Sequence, residues 1–414
     1  MKILFFLDTF PALAQSYVLN QITGMIEKGH EVGILAAVKG DCRKVHADVE
    51  QYGLLDRVVF LEELPGNKIV RVAKGMVWML GRGWKNPGVL GQSLNKGRFG
   101  RTAGTGELFY AVVSLLSGKV KLGAFDVVLC HFGPMGQLAV SLRELGLLKG
   151  KIATVFHGYD MSLMPHLYGD DIYRLLFARG DLFLPISENW KNKLLSMGCA
   201  AERIVVHHMG VSPGMFQYKR REIEKGGMMR IVSIARLSEK KGLRYGIEAA
   251  AKLLRAGRKV DYVIVGDGPL KGTLVNQIEE AGISQAVRLV GWKNQRELAA
   301  ILDESHILLA PSVTDEQGNQ EGIPVALMEA MCMGLPVVST DHSGIGELVK
   351  DGQNGYLLPE RDSEGLADKL SYMIEHRQNW VELGRAGREY VEKHFNIDLL
   401  NDRLEDLLSD TPWL

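Results

Sequence analysis

Cysteine is scarce in this chain of 414 residues: Cys42, Cys130, Cys199 and Cys332 stand far apart, with no Cys-x-x-Cys pair. Neither a disulfide framework nor a cysteine-based zinc site is indicated, and a reducing cytosol is the simplest compartment. Net charge is lacking too, since 49 lysines and arginines meet 49 aspartates and glutamates. That balance argues against nucleic acid as a partner of the chain as a whole. No apolar run approaches the roughly 18 residues that a membrane-crossing helix needs, so any membrane contact is expected to be peripheral. The opening Met1-Lys2-Ile3-Leu4-Phe5-Phe6-Leu7 could pass for a leader, but Asp8 interrupts it and no small-residue cleavage site follows. A buried first strand is the better reading. Short repeats and low-complexity tracts are absent.

What is present is alternation. Residues 3–7 read as a strand, 17–28 as an amphipathic helix stopped by Gly29, and 31–37 as a second strand. The pattern returns at 126–130, 137–145, 152–156, 172–178, 181–186 and 204–206. Strand and helix in short succession imply a parallel sheet with right-handed crossovers. After a polar linker at 219–227 the alternation starts again, with strands at 229–235, 261–265, 287–290 and 307–310 and helices at 243–254, 270–281 and 297–304. The length and this restart point to two doubly wound α/β domains, and helices are expected over 366–374, 380–394 and 399–408. The domains read as residues 1–216 and 229–395, joined through 217–228, with a last helix in 396–414.

Ligands of open parallel sheets bind at the carboxyl ends of strands. In the first half this singles out residues 9–16, which include Gln15 and lack glycine, then His131-Phe132-Gly133, and His157-Gly158-Tyr159-Asp160. A histidine at a strand end is more often structural than catalytic; Gly158 and Asp160 on the same turn improve the case for His157. Residues 68–121 differ from their surroundings, because ten lysines and arginines are answered there by Glu107 alone, with Val70, Val77, Trp78, Leu80 and Trp84 interleaved. Two readings stand: peripheral contact with an anionic membrane surface, or a solvated basic helix pair beside an acceptor groove.

In the second half the organising stretch is 315–329. Pro324 suits the first turn of a helix that Gly334-Leu335-Pro336 ends, so Glu321 lies in the entering loop and Glu329 inside the helix. The amides of Gly322 and Ile323 are expected at the positive end of the helix dipole, where a phosphate binds readily. Arg236 and Lys241, five residues apart after a strand, can converge on one diphosphate. Val265-Gly266-Asp267-Gly268-Pro269 is another glycine-bearing strand end, and His342-Ser343-Gly344-Ile345-Gly346-Glu347 a further small-residue loop.

Glu321 with Glu329, Arg236 with Lys241, Gly266-Asp267-Gly268-Pro269, the run from Glu329 to Val338, and Glu347 with Gly352 and Gly355 together resemble the retaining GT-B glycosyltransferases of family 4. The resemblance is loose to Ala124 and close from His157 to Leu358. It implies two Rossmann-like domains facing each other across a cleft, with the last helix crossing back to the first. It also implies a hexose moved from a nucleoside-diphosphate sugar, UDP before GDP, to a polysaccharide or lipid-linked saccharide. On this reading Arg236 and Lys241 bind the diphosphate, with Gly266 on the donor side. Glu329 binds the ribose, and Gly322 and Ile323 meet the sugar. His157 and Glu321 stand at the reacting centre. His131, Asp160 and Gln15 are the acceptor-side candidates.

No Asp-x-Asp motif follows an apolar strand, and neither metal nor cofactor is implied, the sugar nucleotide being a substrate. The expected location is the cytoplasm, at the inner face of the membrane if 68–121 touches it. Two other readings remain: an isomerase resembling a nucleotide-sugar 2-epimerase, and a catalytically inactive sugar-nucleotide binder. The loop after the first strand departs from the family, with Ala12-Leu13-Ala14-Gln15-Ser16 after Pro11, and Gly344-Ile345-Gly346 replaces a commoner Gly-Gly pair.

Overall fold

The computed structural model describes residues 1–13, 15–42, 45–82, 86–117, 122–224 and 226–409. Among them, twelve strands form two six-stranded sheets in which every neighbouring pair is parallel. The first sheet holds β1 (Lys2–Phe10), β2 (Glu31–Lys39), β3 (Val58–Phe60), β4 (Val127–His131), β5 (Lys151–Phe156) and β6 (Leu182–Pro185), in the order β3-β2-β1-β4-β5-β6. The second holds β7 (Met229–Ile234), β8 (Val260–Val265), β9 (Val287–Gly291), β10 (Ile307–Ala310), β11 (Val337–Thr340) and β12 (Tyr356–Leu358), in the order β12-β11-β10-β7-β8-β9. The two orders are the same topology, that of a Rossmann sheet. The order reverses between β1 and β4 and again between β7 and β10, the points where such sheets open a crevice for ligands.

Burial explains the strand sequences. Phe5 is opposite Ile34 on one side and Leu129 on the other, so β1 is central and covered on both faces. Its run from Ile3 to Leu7 is correspondingly apolar without alternation, each residue at most 1 % exposed. In the second sheet alternate residues feed different cores. Ile231, Tyr262, Ile264, Leu309 and Val338 join a cluster with Trp380, while Val232, Val265, Leu308 and Val337 join another with Leu327 and Met331.

The chain divides into two compact units, 1–186 with 190–207 and 401–414, and 187–189 with 208–400. Within the first, Asn401 donates to the carbonyl of Asn20, and Glu405 pairs with Lys28 at 3.0 Å and with His30 at 3.0 Å. A Cβ at Gly24 would come within 2.0 Å of Asn401, so glycine there is a packing requirement.

Several elements differ from the sequence reading. β1 runs on to Phe10, which shortens the following loop. Residues 204–206 form only a bridge from Ile204 to Phe183. Among the described residues, the segment 68–121 contains four helices, Lys68–Arg82, Pro87–Ser93, Lys96–Thr105 and Glu107–Leu116, not a pair, and Gly106 at φ 83° divides the last two. Acids from outside the segment answer its cations as well: Lys74 pairs with Glu62 at 3.4 Å and Arg98 with Glu144 at 2.9 Å. Trp84, Lys85, Lys119 and Lys121 lie outside the described residues. Among those described, no helix is long and apolar enough to cross a membrane.

Trp380 anchors the second core, fully buried, its indole N–H donating to the Met373 carbonyl at 3.0 Å. Trp380→Ala is expected to cost roughly 3–5 kcal/mol, the range for an emptied large aromatic site, read as a lowered urea midpoint; an unchanged midpoint would contradict the packing described.

Candidate active site

The residues singled out from sequence fall into two groups, one in each compact unit. The first forms because β4 and β5 are neighbours. His131, the last residue of β4, is paired in register with Val155, and His157 lies two residues further along, on the same face by the strand period of two. The rings meet: His131 Nδ1 and His157 Nε2 are 3.1 Å apart, and the planes stack at 25°. Phe132 and Tyr17 pack against His157 with centroids at 4.5 and 5.0 Å.

Asp160 ties the two strand ends together. Its carboxylate accepts from the amides of Gly133 at 3.0 Å, His157 at 3.0 Å and Gly158 at 2.8 Å. Burial pushes its carboxyl up to about 6 against the pull of those amides. Asp160 and His131 have no exposed surface, so their bonds are with the turn and the neighbouring ring. Gln15 donates its side-chain amide to Asp8 at 3.1 Å at the start of the helix Ser16–Glu27.

The second group is built on the ends of β7, β8 and β10. Glu321 is buried, with Lys240 Nζ at 2.8 Å from one oxygen and Lys241 Nζ at 2.5 Å from the other. Burial opposes its charge, Lys241 and Lys240 outweigh burial, and the carboxyl is held at about 2. The amide of Glu321 donates to His342 Nε2 at 2.9 Å, which requires His342 to carry its proton on Nδ1, 2.5 Å from Glu360. Glu360 in turn accepts from the Thr314 amide at 2.8 Å, so both ends of the loop before the helix Val325–Cys332 are held.

Pro324 is the cap of that helix, at ψ 123°, and not its first turn; the extended conformation sets Gly322 and Ile323 just outside the helix. Their amides make no hydrogen bond among the described residues. Glu329 is partly buried, its carboxylate makes no hydrogen bond or ion pair among those residues, and burial pushes it up to about 7. Arg236 is exposed and likewise has no side-chain partner there. Gly266, at φ 138°, is needed for packing, because a Cβ would sit 1.9 Å from the Ala235 carbonyl oxygen.

Lys240 and Glu360 were not singled out from sequence, and Phe132 and His342 only as members of strand-end loops. The Lys240-Lys241 doublet was visible, but that both lysines reach Glu321 depends on how two distant loops fold together, and no local pattern joins His342 to Glu360 across 18 residues.

A family model described as "Glycosyl transferases group 1" matches residues 216–390. The chain is 41 % identical over 419 residues to WcaL of Salmonella typhimurium, whose name assigns it to colanic acid biosynthesis as a glycosyltransferase; 99 % of each chain is covered. It is 40 % identical over 413 residues, again 99 % of each, to the amylovoran biosynthesis glycosyltransferase AmsK of Erwinia amylovora. The chain belongs to the group 1 glycosyltransferases, family 4. Among solved structures, this glycosyltransferase has the fold of Anabaena HepE in complex with UDP, with TM-score 0.71, 17 % identity and coverage of 99 % and 100 %. It likewise matches sucrose-phosphate synthase from Thermosynechococcus elongatus, with TM-score 0.73, 15 % identity and coverage of 98 % of each chain. The two Rossmann-like sheets are those of a GT-B enzyme.

A carboxyl held at about 2 from an ordinary 4.5 contributes stability above pH 4.5 that is lost as pH falls toward 2. Glu321→Gln should therefore destabilise the enzyme at neutral pH, with a difference from the parent that closes across this window. Urea unfolding at a series of pH values checks it; a gap that stays constant to pH 2 contradicts the ion triad.

Proposed function

We propose that this glycosyltransferase moves a hexose from a nucleoside-diphosphate sugar to a growing exopolysaccharide or lipid-linked saccharide, with retention of anomeric configuration. The observation that carries the donor half is positive charge without a partner. Glu321 neutralises one of the two lysines it touches, Arg236 stands unpaired on the same loop, and the amides of Gly322 and Ile323 are open ahead of a helix. A diphosphate leaving group gathers negative charge as the anomeric bond breaks, and fixed cations and amides stabilise it without reorganising. Protein cations suffice for this, so we assign no metal to the step.

Glu329, bare of partners, suits the ribose hydroxyls, and Glu321, held beside Lys241, suits the sugar. His157 is assigned to the reacting centre. UDP is preferred over GDP because the similar HepE was solved with UDP and with UDP-glucose. The exopolysaccharide product is inferred from the colanic acid and amylovoran assignments of the relatives.

A membrane-borne acceptor draws support from the helix Lys68–Arg82. Arg71 turns inward to the carbonyls of Pro65 and Thr105, and Gly75 faces Phe109, while Ile69, Val70, Val72, Met76 and Val77 are exposed, Ile69 by 80 %. At 100° per residue these five cover about half the circumference, and Lys68 and Lys74 border them. Such a face fits the interface of an anionic bilayer.

Calorimetry with UDP and GDP should give nucleotide affinities lowered at least about tenfold in Lys241→Ala and Glu329→Ala, the worth of one charge-assisted hydrogen bond. His157→Ala should bind normally and slow transfer. Hydroxyls donating to Glu329 favour its charged form, so binding near pH 7 should release about half a proton in the parent and none in Glu329→Gln. Three variants indistinguishable from the parent would remove the site assignment. Separately, the enzyme should sediment with vesicles containing phosphatidylglycerol, and Ile69→Asp with Val72→Asp should abolish this; equal sedimentation of parent and variant excludes this helix as the contact.

A further inference from the structure

We propose that His131 is a positioning residue that holds the His157 ring with its Nδ1–H presented to the substrate. The inference rests on the placement of His157 at the reacting centre and adds what sets its chemistry. Of the His157 ring nitrogens, Nε2 is engaged by His131 at 3.1 Å, and Nδ1 has no partner among the described residues. Substrate can therefore meet Nδ1 alone, and which hydrogen-bonding role Nδ1 plays depends on the proton shared with His131.

Burial keeps both rings neutral, pulling His131 down to about 3, with His207 adding to the effect, and His157 well below its ordinary range, with His131 adding there. Each ring then carries one N–H, and the Nδ1 to Nε2 bond needs one donor and one acceptor. Were His157 the donor, His131 would have to carry its proton on Nε2. That atom is fully buried with no hydrogen-bond partner, and an orphaned buried N–H is rarer in folded proteins than an underused acceptor. With His131 as donor from Nδ1, its Nε2 is left as a lone pair. His157 then accepts on Nε2 and presents Nδ1–H, a neutral donor suited to a sugar or phosphate oxygen.

The surroundings hold this pair rather than merely contain it. Phe5 lies nearly parallel to His131 with centroids at 6.0 Å, and Phe132 and Tyr17 close on His157. Phe132 takes φ 72°, a conformation costly for a residue with a Cβ. It is fixed there by its own amide, which donates to the Val155 carbonyl at 2.8 Å, and by the bond from Gly133 to Asp160. His131 has no exposed surface and acts only through His157.

The test combines a spectroscopic readout with a rescue. Long-range nitrogen–carbon correlation spectra of enzyme labelled in histidine, assigned by the loss of one signal in His157→Ala, report the tautomer directly. His157 should be the Nδ1–H form in the parent and should lose that preference in His131→Leu. His131→Asn, whose amide can donate from near the Nδ1 position, should restore it. With UDP-glucose or GDP-mannose as donor, kcat should fall about tenfold in His131→Leu, the worth of one neutral hydrogen bond, while UDP and GDP affinities stay as in the parent, and Asn should recover most of the loss. An Nε2–H tautomer in the parent, or an unchanged tautomer in folded His131→Leu, overturns the proposal whether or not a donor turns over. If His157→Ala transfers like the parent, the assignment of His157 fails instead; if His157→Ala is slow and His131→Leu is not, the role of His131 alone fails.

Discussion

A buried carboxylate between two ammonium groups is the interaction on which the proposed donor site of this enzyme depends. Glu321 could not keep its charge out of water alone, and removing either kind of partner would leave a charge uncompensated, the costly way to break a buried pair. Lys240 and Lys241 therefore do two things at once. They make the loop conformation of Glu321 tolerable, and they leave one positive charge over. The His342 and Glu360 pair works on the backbone of the same loop, so side chain and main chain are fixed by different elements. A loop held this way needs little ordering when a ligand arrives, and ordering is among the larger costs of binding.

The first unit solves a different problem with different groups. Its strand-end histidines are held neutral by burial, and the buried Asp160 is spent on backbone amides. Charge is concentrated around the proposed donor loops of the second unit, and neutral directional groups around His157. That division suits a reaction in which the leaving group carries the charge and the transferred sugar must be oriented.

Much of this was legible because it is periodic or local. The alternation of apolar strands and amphipathic helices gave the inner strands of both sheets, though not the short edge strands β3 and β12, and its restart after residue 227 marked the second sheet. Glu321 and Glu329 were placed in loop and helix from the Pro324 and Gly334 punctuation, though Pro324 proved to sit one residue outside the helix. Illegible were the contacts that depend on strand order. Nothing in the spacing of His131 and His157, 26 residues apart, says that β4 and β5 are neighbours in register. Lys240 was passed over for the same kind of reason, since only the folded loops show that both adjacent lysines, and not Lys241 alone, meet Glu321. The basic segment misled in number: composition shows cations, but Glu62 and Glu144 answer some of them from elsewhere.

The notch at Gly24 has a consequence for how the chain is made. Asn401 fills it, and Glu405 caps Lys28 and His30 beside it, so the surface of the helix Ser16–Glu27 is completed by residues made only after the second unit. At about 5–20 residues per second, that surface waits tens of seconds while the whole second unit is synthesised. During that interval the nascent chain carries a first unit whose helix surface stays open at the Gly24 notch.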